Sequence, residues 1–259
     1  MSIVETEDRG AVRHVVLNRP EKRNALNDEL ILGLRAAIEA AAEDDAVHCV
    51  VVRGAGPMFS SGMDFAGLGA LAADPSRLRT FRRPILDTWN LLEEMTKPTI
   101  AQIHGACIGG AMELALACDL RTMAADAIVG MPETRVGLIP DVGGSSRLPA
   151  VVGLGRAKEL VMASKLIDGI EAERIGLVNR VAPADDLDAT TEQLVSELLA
   201  CAPVAVGHAK RVLDAAAKPA LAATLEQEVT VQDLCARTAD FGEGTRAFAE
   251  KRQPEFSGR

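Results

Sequence analysis

The amino-acid sequence predicts an α/β core followed by a smaller layer of helices. Short β-type runs alternate with helical runs over the first two thirds of the chain. The β-type pattern stops after residue 183, and the residues that follow have the spacing of consecutive helices. With 259 residues, 48% of them hydrophobic, the chain is long enough to bury a large core.

The predicted elements can be placed in order along the chain. The β-type runs are RHVVLN (13–18), HCVVVRG (48–54), PTIAQIHG (98–105), DLRTMAA (119–125), the shorter IVGM (128–131) and LVNRVAP (177–183). Asn27 or Asp28 can cap a first helix that continues to about Ala42. Further helices are predicted at VGGSSRLPAVV (142–152), 187–200, 204–217, 221–237 and in the tail DFGEGTRAFAEKR (240–252).

Composition excludes several classes of protein. A formal net charge of -9 argues against nucleic acid or an anionic membrane as the main partner, and no basic stripe favours RNA. No apolar run reaches the roughly 18 residues of a membrane span, and MSIVETEDRGAV resembles neither a signal nor a transit peptide. The five scattered cysteines and four histidines form no metal-ligand pattern. We therefore expect a reduced, cytoplasmic protein without a metal.

Two predicted strands end in comparable glycine loops, which suggests a weak structural repeat. HCVVVRG leads into AGPMFSSGMD, and PTIAQIHG leads into ACIGGAME. A dinucleotide-binding turn at GAGPMF (54–59) is disfavoured, because Phe59 replaces the third glycine and Pro57 would disturb the turn. His104, at a strand end beside the second loop, is a weaker site candidate.

The second glycine loop opens a helix that carries an unexpected acid, Glu113, in GACIGGAMELALACDL (105–120). One interpretation is a favourable interaction of the acid with the helix N-terminus. The alternative is a desolvated carboxyl with a raised pKa, as a general acid or base requires. Gly109 and Gly110 favour the second, since they let a ligand approach free backbone N–H groups. Such donors beside a carboxyl can form an oxyanion hole with a proton-transfer group.

Two further acids occur in VGMPETRVGLIPDVGG (129–144). Glu133 follows a proline and would, by itself, be interpreted as a solvated turn residue. Asp141 follows Pro140 and precedes a predicted helix, which is an ordinary N-cap position.

Five segments together make the chain resemble the enoyl-CoA hydratase/isomerase (crotonase) superfamily almost end to end. NRPEKRNAL resembles the CoA-contacting loop of that family, FSSGMDF its first oxyanion-hole segment and HGACIGGAMELALACDL its second. MPETRVGLIPDVGGSSRLP resembles the second-acid segment, and FGEGTRAFAEKRQPEF the C-terminal signature. The resemblance implies a spiral of ββα units, with a core at 1–195 and a helical region at 196–259 that forms trimers or dimers of trimers.

The resemblance also implies a reaction. The backbone N–H groups of Met63 and Gly110 would form the oxyanion hole, and Glu113 and Glu133 would be the two catalytic glutamates. Family members with both acids are typically hydratases of fatty acid metabolism that add water in syn fashion to a trans-2-enoyl-CoA. The implied substrate is therefore an acyl-CoA thioester, with coenzyme A as part of the substrate and no separate cofactor.

The CoA ester is expected to meet residues of three segments. The resemblance assigns this contact to Lys22, Arg23, Ala25, Leu26, Ser61, Asp64, Phe248 and Lys251. Lys22, Arg23 and Lys251 would face the phosphates, and Phe248 would line the crevice, in its own or a neighbouring subunit. Arg82 and Arg83 form another basic pair, for which a solvated helix end is at least as good an interpretation.

Asp141 keeps a second reaction open. Dienoyl-CoA isomerases and some enoyl-CoA isomerases of the superfamily carry an aspartate eight residues after their second-acid position, whereas many hydratases carry a small residue there. Dienoyl isomerases, however, generally have Asp where this chain has Glu113. The isomerase is therefore the alternative to the hydratase. A non-catalytic acyl-CoA-binding protein is a third possibility, disfavoured because both glutamates and both glycine loops are present.

Overall fold

A computed structural model of the chain describes residues 2–64, 67, 69, 71 and 74–259. Its strands are β1 (Val4–Arg9), β2 (Val12–Leu17), β3 (Cys49–Gly54), β4 (Thr99–Ile103), β5 (Ala106–Ile108), β6 (Leu120–Ala124), β7 (Ile128–Gly130), β8 (Ile167–Asp168) and β9 (Arg180–Ala182). Six form one sheet in the order β1-β2-β3-β4-β6-β9, with β1 antiparallel to β2 and the other neighbours parallel. In the second sheet, of order β5-β7-β8, β5 and β7 are parallel and β8 is antiparallel to β7.

Helices surround both sheets. They are α1 (Asp28–Glu43), α2 (Leu78–Glu94), α3 (Gly110–Ala117), α4 (Gly144–Val152), α5 (Leu154–Met162), α6 (Gly169–Arg174), α7 (Leu187–Leu199), α8 (Pro203–Ala217), α9 (Leu221–Ala236) and α10 (Ala239–Glu250). Among the helices described, none is long and apolar enough to cross a membrane.

The central strands are buried on both faces, as is usual for parallel strands covered by helices. In β3 the run Val50, Val51 and Val52 is fully buried. Val50 and Val52 belong to the main core with α1, α2 and α3, whereas Val51 packs on the other face with Leu194 and Val195 of α7. The alternation of side chains along one strand thus holds two helical layers on one sheet.

Most predicted elements are confirmed, with ends within a few residues. Asn27 caps α1, its side chain accepting a hydrogen bond from the N–H of Leu30 at 3.0 Å. The sequence patterns did not predict β1, the short strands β5 and β8, or the helices α2, α5 and α6. Segment 66–90 has no clear sequence pattern, which makes it our candidate for a lid or a wall of the substrate pocket. It lies partly outside the described residues; from Leu78 onward it is α2. The expected boundary at 195/196 falls within α7 and stays a prediction.

The C-terminal helices α9 and α10 support the region of the three acids. α9 packs on α4 and α2, and α10 packs on the short 3-10 helix Glu133–Val136. The α10 contact is close, because a Cβ built on Gly244 would lie 2.6 Å from the Val136 backbone. The last two helices thus pack against segments that carry the acids.

Candidate active site

The two glycine loops lie side by side. The N–H of Ser60 donates to the carbonyl of Ala106 at 3.0 Å, and the N–H of Ile108 donates to the carbonyl of Ser60 at 3.3 Å. This pairing brings Met63 next to Gly110, where an added Cβ would lie 3.0 Å from the Met63 sulfur. Neither the Met63 nor the Gly110 N–H has a hydrogen-bond acceptor within the part of the chain that the structure describes. The residues predicted for the oxyanion hole are therefore adjacent, with donors available to a ligand.

The loop that resembles the CoA contact is fixed to the first glycine loop. The buried side-chain amide of Asn24 donates to the carbonyls of Ala55, Met58 and Phe59 at 2.8, 2.9 and 3.1 Å. Backbone bonds continue the contact, since the N–H of Leu26 donates to the carbonyl of Gly62 at 2.8 Å. Asn24 was not among the predicted site residues; its φ of 53° and its burial mark it as a structural clamp.

Glu113 is buried, with 3% of its surface exposed. Its partners are backbone groups, because Oε1 accepts hydrogen bonds from the N–H of Val142 at 2.9 Å and of Gly144 at 2.8 Å. Burial, together with the nearby charges of Glu133 and Asp141, raises the pKa of Glu113 well above its ordinary value. The structure therefore agrees with the interpretation of Glu113 as a desolvated acid.

Glu133 approaches the second glycine loop at Gly109. A Cβ on Gly109 would come within 2.8 Å of the Glu133 Oε1, so glycine is required where this carboxyl approaches the second loop. Gly109 also has a φ of +58°, which side-chain-bearing residues rarely adopt. Oε2 of Glu133 is buried without a hydrogen-bond partner among the described residues. Burial first, and then the charge of Asp141, raises the pKa of Glu133 to about 8.

Asp141 is close enough to influence both glutamates, but it also has a basic partner. Burial raises its pKa to about 7, and the Arg82 guanidinium, whose Nε lies 3.6 Å from Oδ2, opposes this rise. Asp141 does not cap α4, since Gly143 occupies the N-cap position. Thus one acid is ion-paired, while the two glutamates have no basic side chain bonded to them within the described residues.

The interpretation of Arg82 as a solvated helix end is wrong, although Arg83 is exposed. Arg82 is 5% exposed, bonds the backbone carbonyls of Asp141 and Leu225, and lies 3.4 Å from Glu228. Glu228, on α9, is also buried and was missed by the sequence analysis. A detectable signal existed, because its position directly before Val229 and three residues after Leu225 puts an acid on the predicted apolar face of the helix.

The residues predicted to bind CoA fall into two groups. Those of the first group surround the Asn24 clamp: Lys22 and Arg23 are exposed, Ala25, Ser61 and Asp64 are partly buried, and Leu26 is fully buried. The second group, Phe248 and Lys251, lies at the C-terminal end of α10 on its exposed side. The buried side of that helix faces the Glu133 segment. The joint contact of the two groups with CoA stays a prediction.

A cavity of about 570 Å³ opens between the first group and α2. Its lining includes Arg19, Leu26, Ile31, Asp64, Phe81 and Pro84. Arg19 was not predicted; its guanidinium holds Asp64 at 2.6 Å and also bonds the carbonyl of Ala25. The lining is mixed, because the apolar Ile31 and Phe81 lie beside Asp28 at the start of α1, Thr80 on α2 and the Arg19–Asp64 pair. The cavity begins beside Leu26, which approaches Gly110.

The remaining candidates do not form a second centre. The His104 ring nitrogen lies 3.0 Å from the Gly56 carbonyl oxygen. The His104 side chain therefore contacts the first glycine loop, which is a structural role. The five cysteines are free, and the described residues contain no cluster of His, Cys, Asp and Glu that could hold a metal ion. Backbone donors facing a group of buried carboxyls are suited to stabilising an oxyanion while protons move.

Comparison with known proteins identifies the family to which the chain is similar. The family model for enoyl-CoA hydratase/isomerase matches residues 7–259. The crotonyl-CoA hydratase of Syntrophomonas wolfei is 36% identical over 259 residues, covering 98% of this chain and 96% of that protein. The 2,3-dehydroadipyl-CoA hydratase of Escherichia coli K12 is 36% identical over 245 residues, covering 95% and 94%.

Solved structures agree in fold. The crystal structure of an enoyl-CoA hydratase/isomerase from Xanthobacter autotrophicus Py2 has a TM-score of 0.88, with 34% identity and 99% of each chain covered. An enoyl-CoA hydratase from Mycobacterium avium subsp. paratuberculosis K-10 also has a TM-score of 0.88, with 30% identity and 98% of each chain covered. The sheet order, the paired glycine loops and the buried acids thus occur in a crotonase fold, and the chain belongs to the enoyl-CoA hydratase/isomerase family.

Proposed function

We propose that the protein is an enoyl-CoA hydratase that adds water in syn fashion across the double bond of a trans-2-enoyl-CoA. The observation that carries the proposal is the position of Glu113 and Glu133, both with a pKa raised by burial, beside the second glycine loop. The Gly110 N–H of that loop and the Met63 N–H of the first loop form the predicted oxyanion hole. Relatives named hydratases support the same reaction class.

Glu113 and Glu133 have different roles in proton transfer. Glu113 accepts two backbone N–H bonds, which favour its ionised form, whereas Oε2 of Glu133 lacks a partner, which favours the protonated form. Because the charges act on one another, the two carboxyls titrate as a pair. We assign Glu113 as the base that takes a proton from water and Glu133 as the acid that delivers one to Cα.

In the proposed reaction, electrons move from the attacking water through the double bond to the thioester oxygen. Water loses a proton to Glu113 as its oxygen bonds to Cβ, and the electrons of the double bond shift toward the thioester. The thioester oxygen gains negative charge, which the N–H groups of Met63 and Gly110 stabilise. Losing one such donor costs roughly 10²- to 10³-fold in rate. Protonation of Cα by Glu133 gives the 3-hydroxyacyl-CoA.

Substrate binding and assembly are part of the proposal. Lys22 and Arg23 are exposed at the edge of the clamped loop, where they can meet the CoA phosphates.

We further propose a homo-oligomer, a trimer or a dimer of trimers. The reason is that α8 exposes the apolar side chains of Val204, Val212 and Leu213 by 72, 69 and 68%.

Matched substitutions test the hydratase mechanism. Glu133→Gln and Glu113→Gln keep the shape of each side chain but remove its proton-transfer capacity. We expect each to lower kcat for hydration of crotonyl-CoA by roughly 10²- to 10⁴-fold, while binding of the CoA ester persists. The exposed Glu29 provides the control Glu29→Gln, which should keep the wild-type rate. Full activity in Glu133→Gln would refute the two-glutamate mechanism.

A double-bond isomerase is the second candidate, favoured by the third acid. Asp141 has its pKa raised to about 7 and lies near enough to raise the pKa of both glutamates, so it could shuttle a proton. Under the hydratase proposal, Asp141→Asn leaves hydration largely intact. Loss of activity on a 3,5-dienoyl-CoA in that variant, with no hydration by the wild type, would instead establish the isomerase.

A further inference from the structure

Two buried carboxyl groups from different helices, Glu113 of α3 and Glu228 of α9, accept the hydrogen bonds of the first turn of α4. The N–H groups of Val142 and Gly144 donate to Glu113. The N–H groups that alternate with them, of Gly143 and Ser146, donate to Glu228 at 2.9 and 2.7 Å. Donors at a helix N-terminus need acceptors, and here the residue at the N-cap is a glycine that supplies none.

Glu228 is well suited to this role. Only 4% of its surface is exposed, and each of its oxygens is used. Oε1 accepts from the N–H and the hydroxyl of Ser146, at 2.7 and 2.6 Å, while Oε2 accepts from Gly143 and lies 3.4 Å from the Arg82 guanidinium. An amide at this position would have one acceptor oxygen and could not serve both sides.

Arg82 ties the same group to a third element. From α2 it bonds the carbonyl of Leu225, one turn before Glu228 on α9, and the carbonyl of Asp141 just ahead of α4. Three segments distant in sequence therefore converge on residues 141–146. That short stretch contains the N–H groups that hold the Glu113 carboxylate.

We propose that Glu228, anchored by Arg82, is a positioning residue for Glu113. It fixes the first turn of α4 so that Val142 and Gly144 present their N–H groups to the Glu113 carboxylate. It does not touch the substrate, and the inference rests on the proposed function of Glu113 as a base. The structure gives the charge on Glu228 a second effect, because it helps to raise the pKa of Glu113.

The test is Glu228→Gln in the full-length protein, assayed for hydration of crotonyl-CoA across pH. We expect kcat to fall by roughly 10- to 100-fold from misplacement of the base, with KM within about twofold of wild type. The charged groups facing Glu113 are Glu133, Asp141 and Glu228, and those facing Glu228 include Arg82. Removing one negative charge eases ionisation of Glu113, so the acidic limb of the kcat profile should move to lower pH.

Controls separate positioning from folding. Glu226→Gln removes a charge from an exposed position on the same helix and should leave kcat and the pH profile unchanged. Ser146→Ala is a milder variant that deletes the hydroxyl bond to Glu228 and keeps its charge. It should lower kcat about two- to tenfold even if Glu228→Gln does not fold.

The outcomes are distinct. A kcat within twofold of wild type in Glu228→Gln, or a lower kcat with an unmoved acidic limb, overturns the proposal. Wild-type kcat in Ser146→Ala overturns it where Glu228→Gln is unfolded. Hydration by the wild type is measured first; its absence refutes the proposed function, and this inference with it, before any variant is compared.

Discussion

Replacing Glu133 by Gln should stabilise the protein while it removes activity. In the folded chain the pKa of Glu133 is raised from its ordinary value of 4.5 to about 8, mainly by burial. Between these values the native state keeps a proton that the unfolded chain has released. The slope of stability with pH is therefore negative, and the wild type loses stability as pH rises from 4.5 to 8. Gln cannot ionise, so the Glu133→Gln variant does not lose this stability as the pH rises.

The magnitude of the stability difference follows from the interval between the unfolded and folded pKa values of Glu133. At about 1.36 kcal/mol for each pKa unit, a rise from 4.5 to about 8 sets a ceiling near 5 kcal/mol at pH 8 and above. Glu133 is partly accessible to water, which screens its charge, so we expect an advantage of about 2 kcal/mol for Glu133→Gln at pH 8. The advantage should shrink as the pH falls toward 4.5 and vanish below it, where the carboxyl is protonated in both states.

Urea unfolding of wild type and Glu133→Gln at pH 5, 6, 7 and 8 measures the difference directly. Glu29→Gln, at an exposed site on α1, controls for the loss of one charge and should run parallel to wild type. If the Glu133→Gln curve instead runs parallel to wild type, or lies below it at pH 8, then the carboxyl is not the desolvated acid on which the mechanism depends.

Three further substitutions test separate parts of the site. Gly144→Ala would put a Cβ 2.8 Å from the Glu113 Oε1, and we expect kcat to fall about 10²-fold; an unchanged kcat would contradict the observed close approach. Asn24→Ala leaves three loop carbonyls without their donor and should lower the unfolding free energy by about 3 kcal/mol, measured by urea unfolding. Lys22→Ala should raise KM for the CoA ester about three- to tenfold at low salt, with kcat unchanged, whereas the exposed Lys158→Ala should not.

The sequence indicated the candidate acids but not the groups that form hydrogen bonds and ion pairs with them. Glu113 could be recognised because it interrupts an apolar helix after two glycines. Its partners could not, since the N–H groups of Val142 and Gly144 come from 29 and 31 residues further along and carry no side-chain signature. The same applies to Arg82, which reaches Glu228 across 146 residues. Long-range pairing of this kind is set by topology rather than by local pattern.

The missed elements also have local causes. β1 is an edge strand whose residues Glu5 to Asp8 are exposed, so it lacks the apolar alternation that identifies β2 and β3. α2 carries Pro84 in its interior, a residue that usually ends helices, although Trp89 and Leu92 beyond it are fully buried. The central strands were therefore predictable from their apolar runs, whereas this edge strand and this proline-containing helix were not.

The most direct test of the central claim is the product formed in D₂O. The wild-type protein is given a trans-2-enoyl-CoA and, separately, a 3,5-dienoyl-CoA, and the products are identified by mass and double-bond position. Hydration by the two glutamates predicts a 3-hydroxyacyl-CoA from the first substrate, with one solvent deuterium on Cα. A product of unchanged elemental composition with a shifted double bond, and no hydroxyacyl-CoA, would contradict the account.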